Sequence, residues 1–116
     1  MTALFDFTPL PRDENATAIQ NVYRNVVSNS KTVTTHGTAV QLITAQTECK
    51  RLDVTALYSN TDMIVVGGST VVAAAGTRKG VPIAPGNTYT FYITDVSNVW
   101  IDSVVDGEGV SFNYFY

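Results

Sequence analysis

The sequence predicts an all-β fold, an antiparallel β-sandwich or jelly roll of about seven to eight strands with an N-terminal arm and one short helix. Three observations point there. Threonine, valine and asparagine are abundant, which favours sheet and turn over helix. From Thr32 onward turn signals recur every 8–12 residues or so, with no helical stretch between them. The segments between those turns alternate apolar and polar side chains, as half-buried antiparallel strands do. At 116 residues the chain fits one domain, large enough to build a core without staples.

Residues 1–14 hold Leu4, Phe5, Phe7 and Leu10 around Pro9 and Pro11, which forbid a regular helix and disfavour a central strand. Such an arm must hide its apolar side chains, either on its own sandwich or on a neighbouring subunit. After Asp13-Glu14-Asn15, the residues Ile19, Val22, Tyr23 and Val26 fall at i, i+3, i+4 and i+7. That spacing predicts a short helix over Ala16–Val27, closed by Ser28-Asn29-Ser30. Asparagine and valine are poor helix formers, and the same residues would also suit an edge strand. The chain thus divides into an arm and helix over 1–31 and a sandwich over 32–116.

Val33–Thr35, a turn at His36-Gly37 and Ala39–Thr44 predict a first hairpin. Arg51–Tyr58 alternates, with Leu52, Val54, Ala56 and Tyr58 on one face and Arg51, Asp53 and Thr55 on the other. After a turn at Ser59-Asn60-Thr61-Asp62, Met63–Val66 reads as a strand. Gly67-Gly68-Ser69 can supply the positive φ of a tight turn, and Thr70–Ala73 then returns as a hairpin or a bulged strand. Ala74–Lys79 reads as an exposed loop with Arg78 and Lys79 at its tip. Pro85-Gly86 fits a type II turn, the ring fixing one φ and glycine allowing the next to be positive. Tyr89, Phe91 and Ile93 then share one face, with Thr88, Thr90, Tyr92 and Thr94 opposite. In the next strand Val99, Ile101, Ser103 and Val105 oppose Trp100, Asp102 and Val104. Asp106-Gly107-Glu108-Gly109 is a hairpin turn. In the last strand Val110, Phe112, Tyr114 and Tyr116 oppose Ser111, Asn113 and Phe115.

Composition narrows the function. Charged residues make up 15% of the chain, against a usual ~25%. A surface so poor in charge suits a protein packed against others. The net charge of −3 and pI of about 4.8 argue against a nucleic-acid partner, which calls for a clustered basic face. A single cysteine, Cys49, excludes an intramolecular disulfide framework; Lys50 and Arg51 beside it could lower its pKa, but a small buried hydrophobe is the expectation. No export signal and no run near the ~18 apolar residues of a membrane helix are found, so synthesis in a cytoplasm and no membrane partner are expected.

No catalytic signature is found. His36 reads as a solvated turn histidine without an orienting acid and nucleophile. Asp102, Asp106 and Glu108 match no calcium loop and read as solvated turn acids. Gly67-Gly68-Ser69 lacks the lysine and following helix of a phosphate loop. The expectation is a protein that is not an enzyme and needs no metal or cofactor.

Three segments carry a resemblance: Val66-Gly67-Gly68-Ser69, Pro82-Ile83-Ala84-Pro85-Gly86-Asn87, and Asp95-Val96-Ser97-Asn98-Val99-Trp100-Ile101. In this order, before and after an aromatic strand, they resemble small β-sandwich virion proteins of tailed bacteriophages, the capsid decoration (cement) or head-fibre type. The resemblance spans roughly Thr32 to Tyr116. It implies a structural protein on the outer surface of a phage head, made in the host cytoplasm, whose partners are the major capsid protein and further copies of itself. An alternative from a different functional class is a tail- or head-fibre module that binds host-surface glycans through exposed aromatics.

The closing strand carries aromatic residues on both faces, and a monomer cannot bury both. Tyr92, Trp100 and Phe115 fall on the opposite phase from the main apolar set of their strands. Aromatic side chains of this kind suit a subunit interface, and equally a sugar-binding surface. The candidate interface residues are therefore Leu4, Phe5, Phe7, Arg78, Lys79, Tyr92, Trp100 and Phe115. A cyclic homo-oligomer is expected, a trimer ahead of a dimer.

Overall fold

The computed structural model describes residues 22–116, which form eight antiparallel strands in two four-stranded sheets. In chain order they are β1 (Val26–Thr32), β2 (Val40–Gln41), β3 (Arg51–Ala56), β4 (Ile64–Gly67), β5 (Val81–Ile83), β6 (Thr88–Phe91), β7 (Trp100–Ser103) and β8 (Gly109–Phe115). The first sheet runs β1-β8-β3-β6 and the second β2-β7-β4-β5. Most successive strands change sheet, which is the double Greek key of a jelly roll. The only helical pieces among the described residues are single 3-10 turns at Ala75–Thr77 and Val96–Asn98.

The core follows from the alternation. Leu52, Val54 and Ala56 of β3, with Val110 and Phe112 of β8, point inward against Ile64, Val66 and Ile101 of the second sheet. Register places Val54 between Phe112 and Tyr89 on its two neighbours, so the middle of β3 lies at the middle of the core. Gly86 has φ +84° and the Asn87 N–H donates to the Ala84 carbonyl at 3.0 Å, the type II turn that Pro85-Gly86 predicts. That turn carries the chain from β5, an edge of the second sheet, to β6, an edge of the first.

Six expectations need correction. Val26 and Val27 are extended, not helical, and Ser28-Asn29-Ser30 lie inside β1 instead of closing a helix. Residues 16–21 of the expected helix lie outside the described residues. β1 pairs along its whole length with β8, from Val26 opposite Phe115 to Thr32 opposite Gly109, so the sheet begins six residues before the expected boundary at Thr32. Tertiary pairing overrode a weak helical period, and the edge-strand reading of the same residues holds for Val26 and Val27.

The first hairpin does not form either. Val40 and Gln41 pair with Ile101 and Trp100, so the His36-Gly37 turn sits on a crossover between sheets. Thr70–Ala73 is not a return strand, because β4 is flanked by β5 and β7. Gly67 and Gly68 do not take positive φ; that role falls to Gly80, φ +122°, where a Cβ would lie 2.8 Å from both Val65 and Val71 side chains. Segment 68–80 instead folds over the outer side of the second sheet, seating Val71 and Ala73 on Val65 with Trp100, Val104 and Ala39. Tyr58, expected on the core face, is 90% exposed, because β3 ends at Ala56.

Candidate interface

The eight candidate residues separate into three groups. Leu4, Phe5 and Phe7 lie outside the described residues. Arg78, Lys79 and Trp100 belong to the roof of the second sheet. The Arg78 guanidinium donates through Nε and Nη2 to the Ala73 carbonyl at 3.0 and 2.9 Å, so it closes its own loop instead of standing free at the tip. Lys79 is exposed at its side chain, while its backbone exchanges two hydrogen bonds with Val72. Trp100 is half-buried against Val65, Val71 and Ala73, so its outward phase leads into a second small core and not into solvent.

Tyr92 and Phe115 are brought together on the outer face of the first sheet. That face is otherwise polar, and register sets its side chains in rows across the strands. Ser30, Ser111, Thr55 and Thr88 form one row; Ser28, Asn113, Asp53 and Thr90 form the next. The rows are tied internally, Ser28 to Asn113 at 2.5 Å, Thr55 to Thr88 at 2.7 Å, and Thr90 to Asp53 at 2.7 Å.

The third row is Val26, Phe115 and Arg51, and it makes an aromatic corner. Arg51 forms a two-point pair with Asp53, both contacts at 3.0 Å, and its guanidinium carbon lies 5.1 Å from the Phe115 ring centre. Tyr23 tilts against Phe115 with ring centres 5.3 Å apart. The hydrogen bond that Arg51 donates to Asp53 is the largest cause of a raised Arg51 pKa, with Tyr23 and Tyr92 adding to it, so this cation is fixed at all ordinary pH. Tyr92, 72% exposed, continues the outward phase of β6 just past its end, and Val26 is 50% exposed. The corner is a planar cation framed by three aromatic rings on a sheet that nothing of the described chain covers. Arg51 and Tyr23 were missed in the sequence: the outward phase of Arg51-Asp53-Thr55 was legible, but the pairing that sets Phe115 beside Arg51 was not.

The acids expected in turns divide differently. Asp106 is exposed and accepts from the His36 N–H at 2.8 Å and meets the ring Nδ1 at 2.6 Å. Those contacts, the backbone N–H first, hold its pKa below the usual carboxylate range. Asp102 and Glu108 are not solvated at all: they are 1% and 6% exposed. Asp102 accepts from the backbone N–H groups of Gly37, Ser103 and Ala73, each at 2.9 Å. Glu108 accepts from the N–H and hydroxyl of Thr61 and the N–H of Asp62. Both are structural staples, a use that turn chemistry alone does not reveal.

Cys49 is 2% exposed and its Sγ donates to the Ile93 carbonyl at 3.3 Å; burial first, and then Asp95, push its pKa up, not down. Asp95 itself is spent on the Thr47 N–H and on the Ser97 hydroxyl and N–H, which lower its pKa. Among the described residues no group of three or more His, Cys, Asp and Glu side chains is placed to hold a metal ion. What the arrangement offers is contact surface. No protein-family model, curated protein or solved structure matches this chain.

Proposed function

We propose that this protein is a structural component of a phage virion, a capsid decoration (cement) protein that binds the outer head surface as a homo-oligomer and reinforces the shell. The observation that carries the reading is the aromatic corner of Tyr92, Phe115, Tyr23 and Arg51 on an otherwise bare polar sheet face. Aromatic and arginine side chains are what protein interfaces concentrate, and a monomer has little other use for them in solvent. Jelly rolls serve in viral capsid and lectin domains alike, so the fold is compatible with the resemblance without deciding it. Low charge and the apolar arm Leu4-Phe5-Phe7 fit a chain that works by burial. Bound across several capsid subunits and to its own copies, such a protein stabilises the shell by mass action, because each copy must dissociate before the shell opens. A trimer is the first expectation and a dimer the second.

A second reading rests on Tyr58. At 90% exposed it flanks the Gly86 turn, and an open tyrosine of this kind also suits stacking on a sugar ring. That arrangement fits a fibre module that binds host glycans.

Copy number on the purified particle separates the two. A decoration protein is present in proportion to the capsid subunits and forms a regular lattice in a particle reconstruction. A fibre module is present only at the tail or at a vertex. Absence from the particle sinks both.

A further inference from the structure

We infer that Asn25 and Asn29 are latches on the open edge of β1: their side chains occupy backbone amides through which a second copy of this chain would otherwise pair edge to edge. This inference is independent of the decoration reading. β1 is an outer strand of the first sheet and, among the described residues, is paired on one side only, to β8. Asn25 and Tyr116 exchange two backbone hydrogen bonds, at 2.7 and 3.0 Å, and the Val33 N–H donates to the Glu108 carbonyl at 2.8 Å. Antiparallel alternation between these two pairs turns the backbone groups of Val27, Asn29 and Lys31 toward β8. Those of Val26, Ser28, Ser30 and Thr32 face the open edge. There the Val26 N–H donates to Asn25 Oδ1 and the Ser30 N–H to Asn29 Oδ1, both at 2.8 Å. Every second edge amide is thus already taken. The first latch is itself held, because Asn25 Nδ2 donates to the Tyr116 hydroxyl at 3.2 Å.

An open strand edge is a template for another strand, and this edge is the one that needs closing. The other outer strands are short or blocked: β2 has two residues, β6 has four, and β5 has three with Pro82 at its centre. β1 has seven and no proline. Its outward set is also symmetric about Asn29, which makes a second copy the occupant that fits. A two-fold axis at Asn29 would match Val26 with Thr32 and Ser28 with Ser30 of the second copy, engaging every outward residue of both strands. Lys31 then meets Val27 of the second copy, so no like charges oppose each other; an axis at Lys31 would set two lysines face to face. Charge therefore does not close the favoured register, and the asparagines do. The Val26 and Ser30 amides are claimed both by the latches and by the second copy, so both latches of each chain must lift before the strands can pair.

The test is self-association of the full chain by sedimentation, with and without the latches. Asn25→Ala with Asn29→Ala is expected to tighten association by ~10-fold or more, since the freed amides gain partners across the two-fold axis. Adding Ser28→Pro removes one outward N–H while sparing the bonds to β8, and should return association to the level of the unsubstituted protein. In the chain with both asparagines, Ser28→Pro should change association little. No tightening on removal of the latches overturns the inference, and so does tightening that Ser28→Pro fails to reverse, which places the contact elsewhere. A loss of association when Ser28→Pro is made alone also overturns it, because the edge is then in use with its latches present. Hydrogen exchange on the unsubstituted protein gives a readout that needs no variant to fold. After correction for intrinsic rates, the Val26 and Ser30 amides are expected to exchange several-fold more slowly than those of Ser28 and Thr32, and Asn29→Ala should speed Ser30 but not Val26. Equal rates at all four overturn it. Neither readout involves a capsid, so failure here leaves the decoration reading to its own test.

Discussion

The outer face of the second sheet is roofed by the chain's own segment 68–80, while that of the first sheet is bare across all of its four strands among the described residues. The roof is held by a tryptophan, two small apolar residues and a buried carboxylate: Trp100, Val71 and Ala73 pack on Val65, and Asp102 takes the Ala73 N–H from beneath. The bare face has hydroxyl and amide rows tied to one another, and one corner where Phe115, Tyr23 and Tyr92 surround Arg51. Both faces thus carry outward aromatics, but only one leaves them uncovered by the described chain. An outward phase in a strand says that a residue leaves the main core; whether it meets solvent depends on which loop passes overhead.

The comparison breaks most sharply at Asp102. Replacing it by Ala leaves three backbone N–H groups without an acceptor, and Ala73 and Ser103 are themselves buried, so water cannot substitute. The expected loss is about 3 kcal/mol or more, a large part of the stability of a domain this size. The midpoint of urea unfolding measures it. Asp102→Asn, which keeps one oxygen acceptor, should lose less. If Asp102→Ala unfolds at the unsubstituted midpoint, the roof is not held from below and both outer faces are equally open.

A paired substitution sharpens the distinction. Trp100→Ala removes a half-buried ring from the small core under the roof and should cost ~2–3 kcal/mol with no effect on association. Tyr92→Asp, at an exposed position, should leave the unfolding midpoint within ~0.5 kcal/mol but weaken self-association, and Phe115→Asp should do the same with a modest stability loss. Thermal unfolding and light scattering read the two quantities separately. A clean 12.5 kDa monomer of the unsubstituted protein at micromolar concentration would mean that the aromatic corner is not a self-contact.

Much of the fold was legible because strong alternation has only one physical reading. Leu52-Val54-Ala56, Val110-Phe112-Tyr114 and the Pro85-Gly86 turn were assigned correctly from pattern alone. β1 escaped because an edge strand has little to bury: its inward positions are Val27, Asn29 and Lys31, which carry no apolar alternation. Segment 70–73 misled because an apolar run looks the same in a strand and in a loop lying on a sheet. The site was half legible. Tyr92 and Phe115 were identified by their outward phase, whereas Trp100 and Arg78 were not distinguished from them, since the roof that captures both is a long-range contact. The burial of Asp102 and Glu108 was invisible for the same reason: each carboxylate binds amides that are distant in sequence.

The smallest expected effect lies at the seam where the chain crosses between the two sheets. His36 sits on the crossover that follows β1, and Asp106 on the return from β7 to β8, so their contact ties one sheet to the other. Asp106 is exposed, and screening by water keeps such a tie weak. Its pKa is lowered in the folded chain, so its contribution is fully present above the ordinary aspartate range and is lost as pH falls through the lowered folded value. Asp106→Asn should therefore lower the thermal midpoint slightly at neutral pH, and the gap to the unsubstituted protein should close under acid. The first cause of the lowering is the His36 backbone N–H, ahead of the ring. His36→Asn keeps that N–H and should retain most of the tie. If it instead costs as much as Asp106→Asn, the imidazole and not the backbone fastens the seam.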